Sequence, residues 1–290
     1  MQALPIWNNK PSVRMTSRRV PTTKISAIVS DVDGTLVTND KQLTDRTRAA
    51  VAAIRKAGIP FSVISSRPPR GMASLMKALG VDRPSAGFNG GVIVAPDLQA
   101  LQQRLVSPDS ARRAIDFLAG RGIDTWLFSG QDWLLQNAGG PYVDHETRTV
   151  GFPPIAVGEF GKALGTAAKI VGVSDKHDFL KECEIELARL LGSAATVVRS
   201  QLYYLDITDR LANKGAGLLE LANLLGVPPA EIAVIGDGSN DVTMFEQSGL
   251  SIAMGNAQPA VKEKADFVTA SNGEEGFAMA IERFILGGER

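Results

Sequence analysis

Ile25-Ser26-Ala27-Ile28-Val29-Ser30-Asp31-Val32-Asp33-Gly34-Thr35-Leu36 is the stretch on which the fold turns. Its first six residues are a mostly apolar run of strand length, the pattern of a strand buried on both faces of a parallel sheet. Two carboxylates at i and i+2 follow at once, with Gly34 free to make the bend. In open parallel sheets ligands bind beyond the carboxyl ends of strands, and Asp31 stands at that position. Alone, Asp-x-Asp-Gly also fits a calcium-type loop or a plain turn.

The surroundings repeat the same grammar. Thr44 is placed to cap a helix running through Val51 and Ile54 to Gly58, and Ile59 to Ile64 reads as a second strand ending in Ser65 and Ser66. One βαβ unit therefore lies before residue 70. Late in the chain Lys214 opens a helix with leucines at 218, 221, 224 and 225, stopped by Gly226. Ile232 to Ile235 is another strand and runs into Gly236-Asp237-Gly238; Ser251 to Met254 and Phe267 to Thr269 add two more, and Glu275 to Leu286 a closing helix. Between about 89 and 210 the pattern changes. Val92 to Val94 and Leu101 to Val106 suggest a hairpin, Ser107-Pro108 a capped helix start, and Trp126-Leu-Phe and Trp133-Leu-Leu flank a Gly130 turn. Phe179 to Leu191 is helical, and Thr196 to Arg199 with Leu202 to Ile207 form a second hairpin. Strand pairs alternating with helices predict a separate α+β domain inserted into an α/β one.

Composition narrows the class. With 31 basic and 31 acidic residues the formal charge is zero, which gives no reason to expect a nucleic-acid or membrane-surface partner. The apolar runs are strand-sized, far short of the roughly 20 residues of a membrane-spanning helix. The single cysteine, Cys183, excludes an intrachain disulfide and fits a reducing compartment such as the cytoplasm, with a buried structural role. Residues 1–24 carry five basic side chains, prolines at 5, 11 and 21 and no acid. That segment has no apolar core of a secretory signal. It reads as a disordered tail, as an over-long start with Met15 the true one, or as an organelle transit peptide.

A second acidic segment, Gly236-Asp237-Gly238-Ser239-Asn240-Asp241, follows another strand end and adds two carboxylates. Oxygen ligands of this kind suit Mg²⁺, which keeps waters for a substrate phosphate. A dinucleotide loop is disfavoured because position 241 is Asp where G-x-G-x-x-G needs glycine. Ser65 at a strand end and Lys214 at a helix start each have an ordinary surface role as the plain alternative. Together with the two Asp motifs they make a phosphate site.

These motifs resemble the haloacid dehalogenase superfamily, in particular the Cof-type phosphatases of subfamily IIB. Asp31-Val-Asp33-Gly-Thr-Leu matches the first motif, Ser65 the second, Lys214 within Asn213-Lys-Gly the third, and Gly236-Asp-Gly-Ser-Asn-Asp241 the fourth. Phe88-Asn89-Gly90-Gly91, Met254-Gly-Asn256-Ala and Ala265-Asp266 through Ser271-Asn272 also resemble family segments, so the similarity covers about Ile25 to Leu286. The resemblance implies a Rossmann-like α/β core from 25–88 plus 211–290, with residues 89–210 inserted as an α+β cap. It implies a Mg²⁺-dependent phosphatase acting on a small phosphate ester, a sugar phosphate or phosphorylated cofactor, as a monomer or homodimer. Asp31 would be the nucleophile and a Mg²⁺ ligand. Asp33 would be the proton donor and acceptor, its carbonyl also meeting the metal. Asp237 would ligate Mg²⁺ directly and Asp241 through water. Ser65, Ser66, Lys214, Asn240 and the Val32 backbone amide would bind the phosphoryl group. One departure is Ser66, where the family commonly has glycine; Arg67 beside it has two readings, substrate contact or pairing with a core acid.

Other features have quieter readings. His145 and His177 lack metal-ligand spacing, and the cap aromatics Trp126, Trp133, Tyr203 and Tyr204 read mainly as core, with a specificity surface as the alternative. Two rival functions stand beside the phosphatase. A phosphomutase would return the phosphoryl group to a second sugar hydroxyl, but the cap shows no dense arginine cluster for a bisphosphate. A non-catalytic regulatory protein of the same fold would be expected to lose the nucleophile or metal ligands, and this chain keeps both.

Overall fold

The computed structural model describes residues 24–287, and the expectations for the basic N-terminal segment lie outside them. In chain order the regular elements begin with β1 (Ala27–Ser30), α1 (Asp45–Lys56), β2 (Phe61–Val63), α2 (Pro69–Leu79), β3 (Ser85–Gly87), β4 (Val92–Val94) and β5 (Ala100–Gln103). Next come α3 (Pro108–Gly120), β6 (Asp124–Ser129), β7 (Asp132–Leu135), α4 (Val143–Val150), β8 (Ile155–Ala156), β9 (Ala167–Val173), α5 (His177–Leu191), β10 (Thr196–Gln201) and β11 (Tyr204–Thr208). The chain closes with α6 (Lys214–Leu225), β12 (Ile232–Gly236), α7 (Val242–Phe245), β13 (Leu250–Ala253), α8 (Pro259–Lys262), β14 (Phe267–Val268) and α9 (Gly276–Ala280).

The core is a parallel sheet in the order β14-β13-β12-β1-β2. Because side chains alternate along a strand, Ile28 of β1 packs with α1, α2 and α9 on one face, while Ala27 and Val29 pack with α6 on the other. Burial on both faces is why β1 reads as a continuous apolar run. The order also makes β1 and β12 neighbours although some 200 residues separate them, and the Asp31 amide donates to the Ile235 carbonyl at 2.9 Å. Both acidic loops therefore leave the same edge of the sheet side by side.

Local signals set the element ends as the sequence suggests. Thr44 accepts a hydrogen bond from the Thr47 amide, Ser107 from the Ser110 amide and Asn213 from the Ala216 amide, each an N-cap. Gly226 ends α6 in the left-handed conformation.

A second, six-stranded sheet runs β10-β11-β9-β6-β7-β8, antiparallel except for the β7–β8 pair. One face is covered by α3 and α5, which bury Cys183 with Leu180 and Leu187. The other face carries Trp126, Phe128 and Trp133 and packs against Phe88, Val92 and Val94. The hairpin expected after Val92 belongs to a three-stranded sheet, β3-β4-β5, attached to the core by a parallel bridge between Ile64 and Ala86. Period-two alternation makes this small sheet a junction: Ile93 faces the core cluster, Val92 and Val94 the cluster of the second sheet. A further contact between the two halves comes from α4 and α2, where the Arg70 guanidinium sits 4.5 Å above the Phe152 ring.

The start of α6 is pressed onto the Phe88–Gly91 turn. A Cβ at Gly217 would lie 2.7 Å from the Gly90 Cα and 2.8 Å from the Ile64 side chain. Gly217→Ala gains roughly 1 kcal/mol in helix propensity but meets immovable backbone, an overpacking that costs about 1–3 kcal/mol. The variant should therefore be destabilised in urea unfolding; a rise in the midpoint would show that the two segments are not held together.

Candidate active site

Four sequence-distant segments meet at the carboxyl edge of the core sheet. Lys214, 1% exposed, reaches in from the first turn of α6 and bonds Asp31 Oδ1 and Asp241 Oδ1, each at 2.5 Å. Asp31 is itself only 4% exposed. The second oxygen of Asp241 accepts from the amides of Asp237 (2.9 Å) and Gly238 (2.7 Å), so this carboxylate pins its own loop. Asp237 comes from the end of β12, with Thr35 Oγ1 at 3.4 Å from one oxygen and Asn256 Nδ2 at 3.0 Å from the other. Asn256 Nδ2 also donates to the Gly34 carbonyl, which ties the two acidic loops together.

Gly34 has no substitute here. Its φ is +79°, and a Cβ would lie 2.2 Å from an Asp237 oxygen. Val32 is fully buried, and its carbonyl accepts from the amides of Leu36 and Val37, closing the turn that follows β1.

The second motif lies alongside. The Ile64 amide donates to the Ser30 carbonyl, which sets Ser65 one residue beyond the strand pair and next to Asp31. Ser65 is buried, its Oγ accepting from the Arg67 amide at 3.2 Å, whereas Ser66 is exposed. Asn240 is exposed and donates to Asn89 at 2.9 Å, joining the fourth motif to the turn before β4. Of the residues singled out in the sequence, Asp31, Lys214, Asp237 and Asp241 are thus in direct or near contact. Ser65 flanks them, and Ser66 and Asn240 sit at the rim.

Asp33 behaves differently from Asp31. Arg67 grips it as a fork, Nε to Oδ2 and Nη2 to Oδ1, both at 2.7 Å, and Lys41 adds a third bond at 2.7 Å. Burial alone would raise this carboxyl, but the two cations more than reverse it and hold Asp33 down at about 2. Of the two readings of Arg67, pairing with a core acid is the one seen. Lys41 was invisible in the sequence, since its role depends on a left-handed turn (φ 62°) that folds it back eight residues.

Asp31 is raised first by burial and further by Asp241 and Asp237, against the pull of Lys214. Burial and Asp241 likewise push Asp237 up to about 6. Carboxylate oxygens of Asp31, Asp237 and Asp241 all lie within 4.8 Å of one another. Three acids share one buried ammonium, so the set carries excess negative charge in hard oxygen donors, and this fits Mg²⁺.

With this geometry in view the comparisons are specific. Residues 28–281 match the family model of haloacid dehalogenase-like hydrolases, and the chain belongs to that family. A putative phosphatase from Haemophilus influenzae is 27% identical over 259 residues, covering 88% of this chain and 97% of that protein. A 5-amino-6-(5-phospho-D-ribitylamino)uracil phosphatase from Bacillus subtilis is 27% identical over 291 residues, covering 91% and 99%. Among solved structures, a haloacid dehalogenase-like hydrolase from Bacteroides thetaiotaomicron superposes with a TM-score of 0.84 at 29% identity, over 90% of this chain and 99% of that one. A subclass IIB sugar phosphatase of the superfamily shares the fold with a TM-score of 0.77 at 20% identity, over 90% and 99%. The protein is a hydrolase of this family. No helix among the described residues is long and apolar enough to cross a membrane.

A metal that binds the folded acids and not the unfolded chain stabilises the fold, by about 2.7 kcal/mol at a hundred times its Kd. Mg²⁺ should therefore raise the melting temperature, and Asp237→Asn should lose most of that shift. Because the ligands bind deprotonated and Asp237 sits at about 6, protons compete below that value. The shift should be larger at about pH 7.5 than at about pH 5. An undiminished shift in the variant would remove Asp237 from the metal set.

Proposed function

We propose that this protein is a Mg²⁺-dependent phosphatase that hydrolyses a small phosphorylated metabolite in the cytoplasm through an aspartyl-phosphate on Asp31. The observation that carries the reading is the placement of Asp31 at a strand end, 2.5 Å from a buried Lys214 and beside two further carboxylates. A carboxylate nucleophile approaching an anionic phosphate is repelled unless cations lie alongside, and phosphoryl transfer is catalysed chiefly by positioning and charge neutralisation.

In the first step an Asp31 oxygen bonds to phosphorus while the ester P–O bond breaks, and Asp33, released from its two cations and protonated, supplies the proton that the leaving alkoxide takes. In the second step Asp33 takes a proton from water as its oxygen attacks phosphorus. The bond from phosphorus to Asp31 breaks, and inorganic phosphate leaves. One hard displacement is thereby divided into two easier ones. Lys214, Ser65 and Asn240, with the Val32 amide and exposed Ser66, line the phosphoryl oxygens. Mg²⁺, held by Asp31, Asp237 and Asp241 with the Asp33 carbonyl, would neutralise phosphate charge. In the arrangement seen, both Asp33 oxygens are held by Arg67 and Lys41. An incoming phosphate, itself a good acceptor for a guanidinium fork, is the natural competitor that frees Asp33. Residues 89–210 serve as the inserted cap that closes over the site and selects the substrate, and the active unit is a monomer or homodimer.

Purified protein with Mg²⁺ should release p-nitrophenol from p-nitrophenyl phosphate. Asp31→Asn should lower kcat by about three orders of magnitude or more, the scale on which loss of a nucleophile acts. Lys214→Met should lower it by about 10²–10³, as for removal of a preorganised charge-stabilising donor. Activity surviving in Asp31→Asn would sink the assignment. Sugar phosphate isomers appearing in place of free phosphate would turn it to a phosphomutase.

A further inference from the structure

The face of the six-stranded sheet that meets the junction with the core is built mainly from large apolar side chains, Trp126, Phe128, Trp133 and Val171 among them. One polar cluster interrupts it. Strand pairing sets Asp206 opposite Val171 and Lys169 opposite Thr208, on that same face. Lys169 Nζ lies 2.6 Å from one oxygen of Asp206. The other oxygen, Oδ1, is buried and has no hydrogen-bond partner among the described residues, and Asp206 is 6% exposed. From α4, Glu146 accepts from the Tyr204 hydroxyl at 3.1 Å, and burial pushes its carboxyl up.

The cluster adjoins the edge that carries Asp31 through α4, which packs on α2, the helix that opens two residues after Arg67. Burial opposes the charge on Arg67, but Asp33, Asp31 and then Glu146 favour it, so the guanidinium that grips Asp33 also feels the acid on α4. Lys169 and Asp206 act in turn on Glu146.

Stability does not account for this cluster. A buried ion pair is matched or bettered by apolar side chains of similar volume, above all when one of its oxygens is left unpaired. Trp126 and Trp133 beside it show that the face readily packs apolar groups. The chemistry does suit a ligand. Asp206 Oδ1 and Glu146 are acceptors, and Lys169 is a donor. A hydroxyl group both donates and accepts, so adjacent hydroxyls complement the set. A second phosphate or carboxylate would face two acids against one ammonium.

We propose that Lys169, Asp206, Glu146 and Tyr204 form the leaving-group recognition surface of the enzyme. It selects an uncharged, hydroxyl-rich leaving group, a sugar or polyol, and rejects one bearing a second anionic group. The proposal rests on the phosphatase reading. Its test is a comparison of kcat/KM with Mg²⁺ for p-nitrophenyl phosphate, hexose and pentitol monophosphates, fructose 1,6-bisphosphate and phosphoglycolate. In the wild type at least one polyol or sugar monophosphate should exceed the aryl ester and both doubly anionic compounds by about tenfold or more, since a site built to bond hydroxyls discriminates strongly against their absence. In Lys169→Met/Asp206→Leu the ratio of sugar monophosphate to aryl ester should fall by about tenfold or more, mainly through KM. The near-isosteric Asp206→Asn and Tyr204→Phe should lower the same ratio, and they serve if the double variant does not fold. A packing role would move both substrates together, and an unchanged ratio overturns the proposal, as does a preference for the bisphosphate. Wild-type hydrolysis of the aryl ester with no sugar preference ends this inference and leaves the phosphatase standing. A wild type that releases phosphate from none of the esters ends both.

Discussion

A lysine with no exposed side-chain surface, bonded to two aspartates from opposite ends of the chain, is the constraint around which the core is arranged. Burying an ammonium is costly unless its hydrogens are met by acceptors in good geometry. Lys214 therefore requires Asp31 and Asp241 to be where they are. That in turn requires β1 and β12 to be neighbours and the helix carrying Lys214 to start at their carboxyl edge. Removing Lys214 leaves the buried carboxylates uncompensated, a loss of about 3–5 kcal/mol in comparable pairs. The same contact also binds three segments of the fold, the loops after β1 and β12 and the start of α6.

Backbone freedom supplies the room. A Cβ at Gly236 would fall 2.4 Å from the Asp241 carboxyl carbon, as one at Gly34 would fall on Asp237. Two glycines, each at the root of an acidic loop, thus let carboxylates approach main chain more closely than any other residue permits. Within Asp31-Val32-Asp33 the environments then diverge. Asp31 is buried among acids with one cation, while Asp33 is gripped by an arginine fork and a second lysine. For the proposed roles this order must be exchanged: Asp33 can carry a proton only when its cations are drawn off, and Asp31 is held ionised only when cations are added beside it.

What could be read in the sequence was whatever is local. The buried strand before Asp31, the Thr44 and Ser107 helix caps, the helix opening at Lys214 and the strand before Asp237 each announce themselves within a few residues, and the structure has them. Trp126 and Trp133 proved to be core, packed edge to face, as their type suggested. The central strand of the second sheet, β9, was missed. Ala167-Ala-Lys-Ile-Val-Gly-Val173 carries a lysine and a glycine where an apolar run would be expected, and its order comes from pairing with β6 and β11. Lys41 and Glu146 were also illegible, because each acts through a partner distant in sequence and no spacing rule records such a contact.

This division between local and long-range information has a functional consequence. The candidate catalytic residues lie within a few positions of strand and helix ends, so their geometry follows from a parallel sheet with short polar loops. Lys169 and Asp206 lie on neighbouring strands of the second sheet and Glu146 on a helix laid over it, so their geometry follows from the packing of that sheet alone. Side chains on its inward face lie apart from Lys214 and its acids, and the small β3-β4-β5 sheet and the α4–α2 contact join the packing of the two halves. A fold arranged this way keeps one reaction while its choice of leaving group drifts. On the proposed reading, identity in the four motifs carries information about chemistry and almost none about substrate, which is read instead from the inward face of the second sheet.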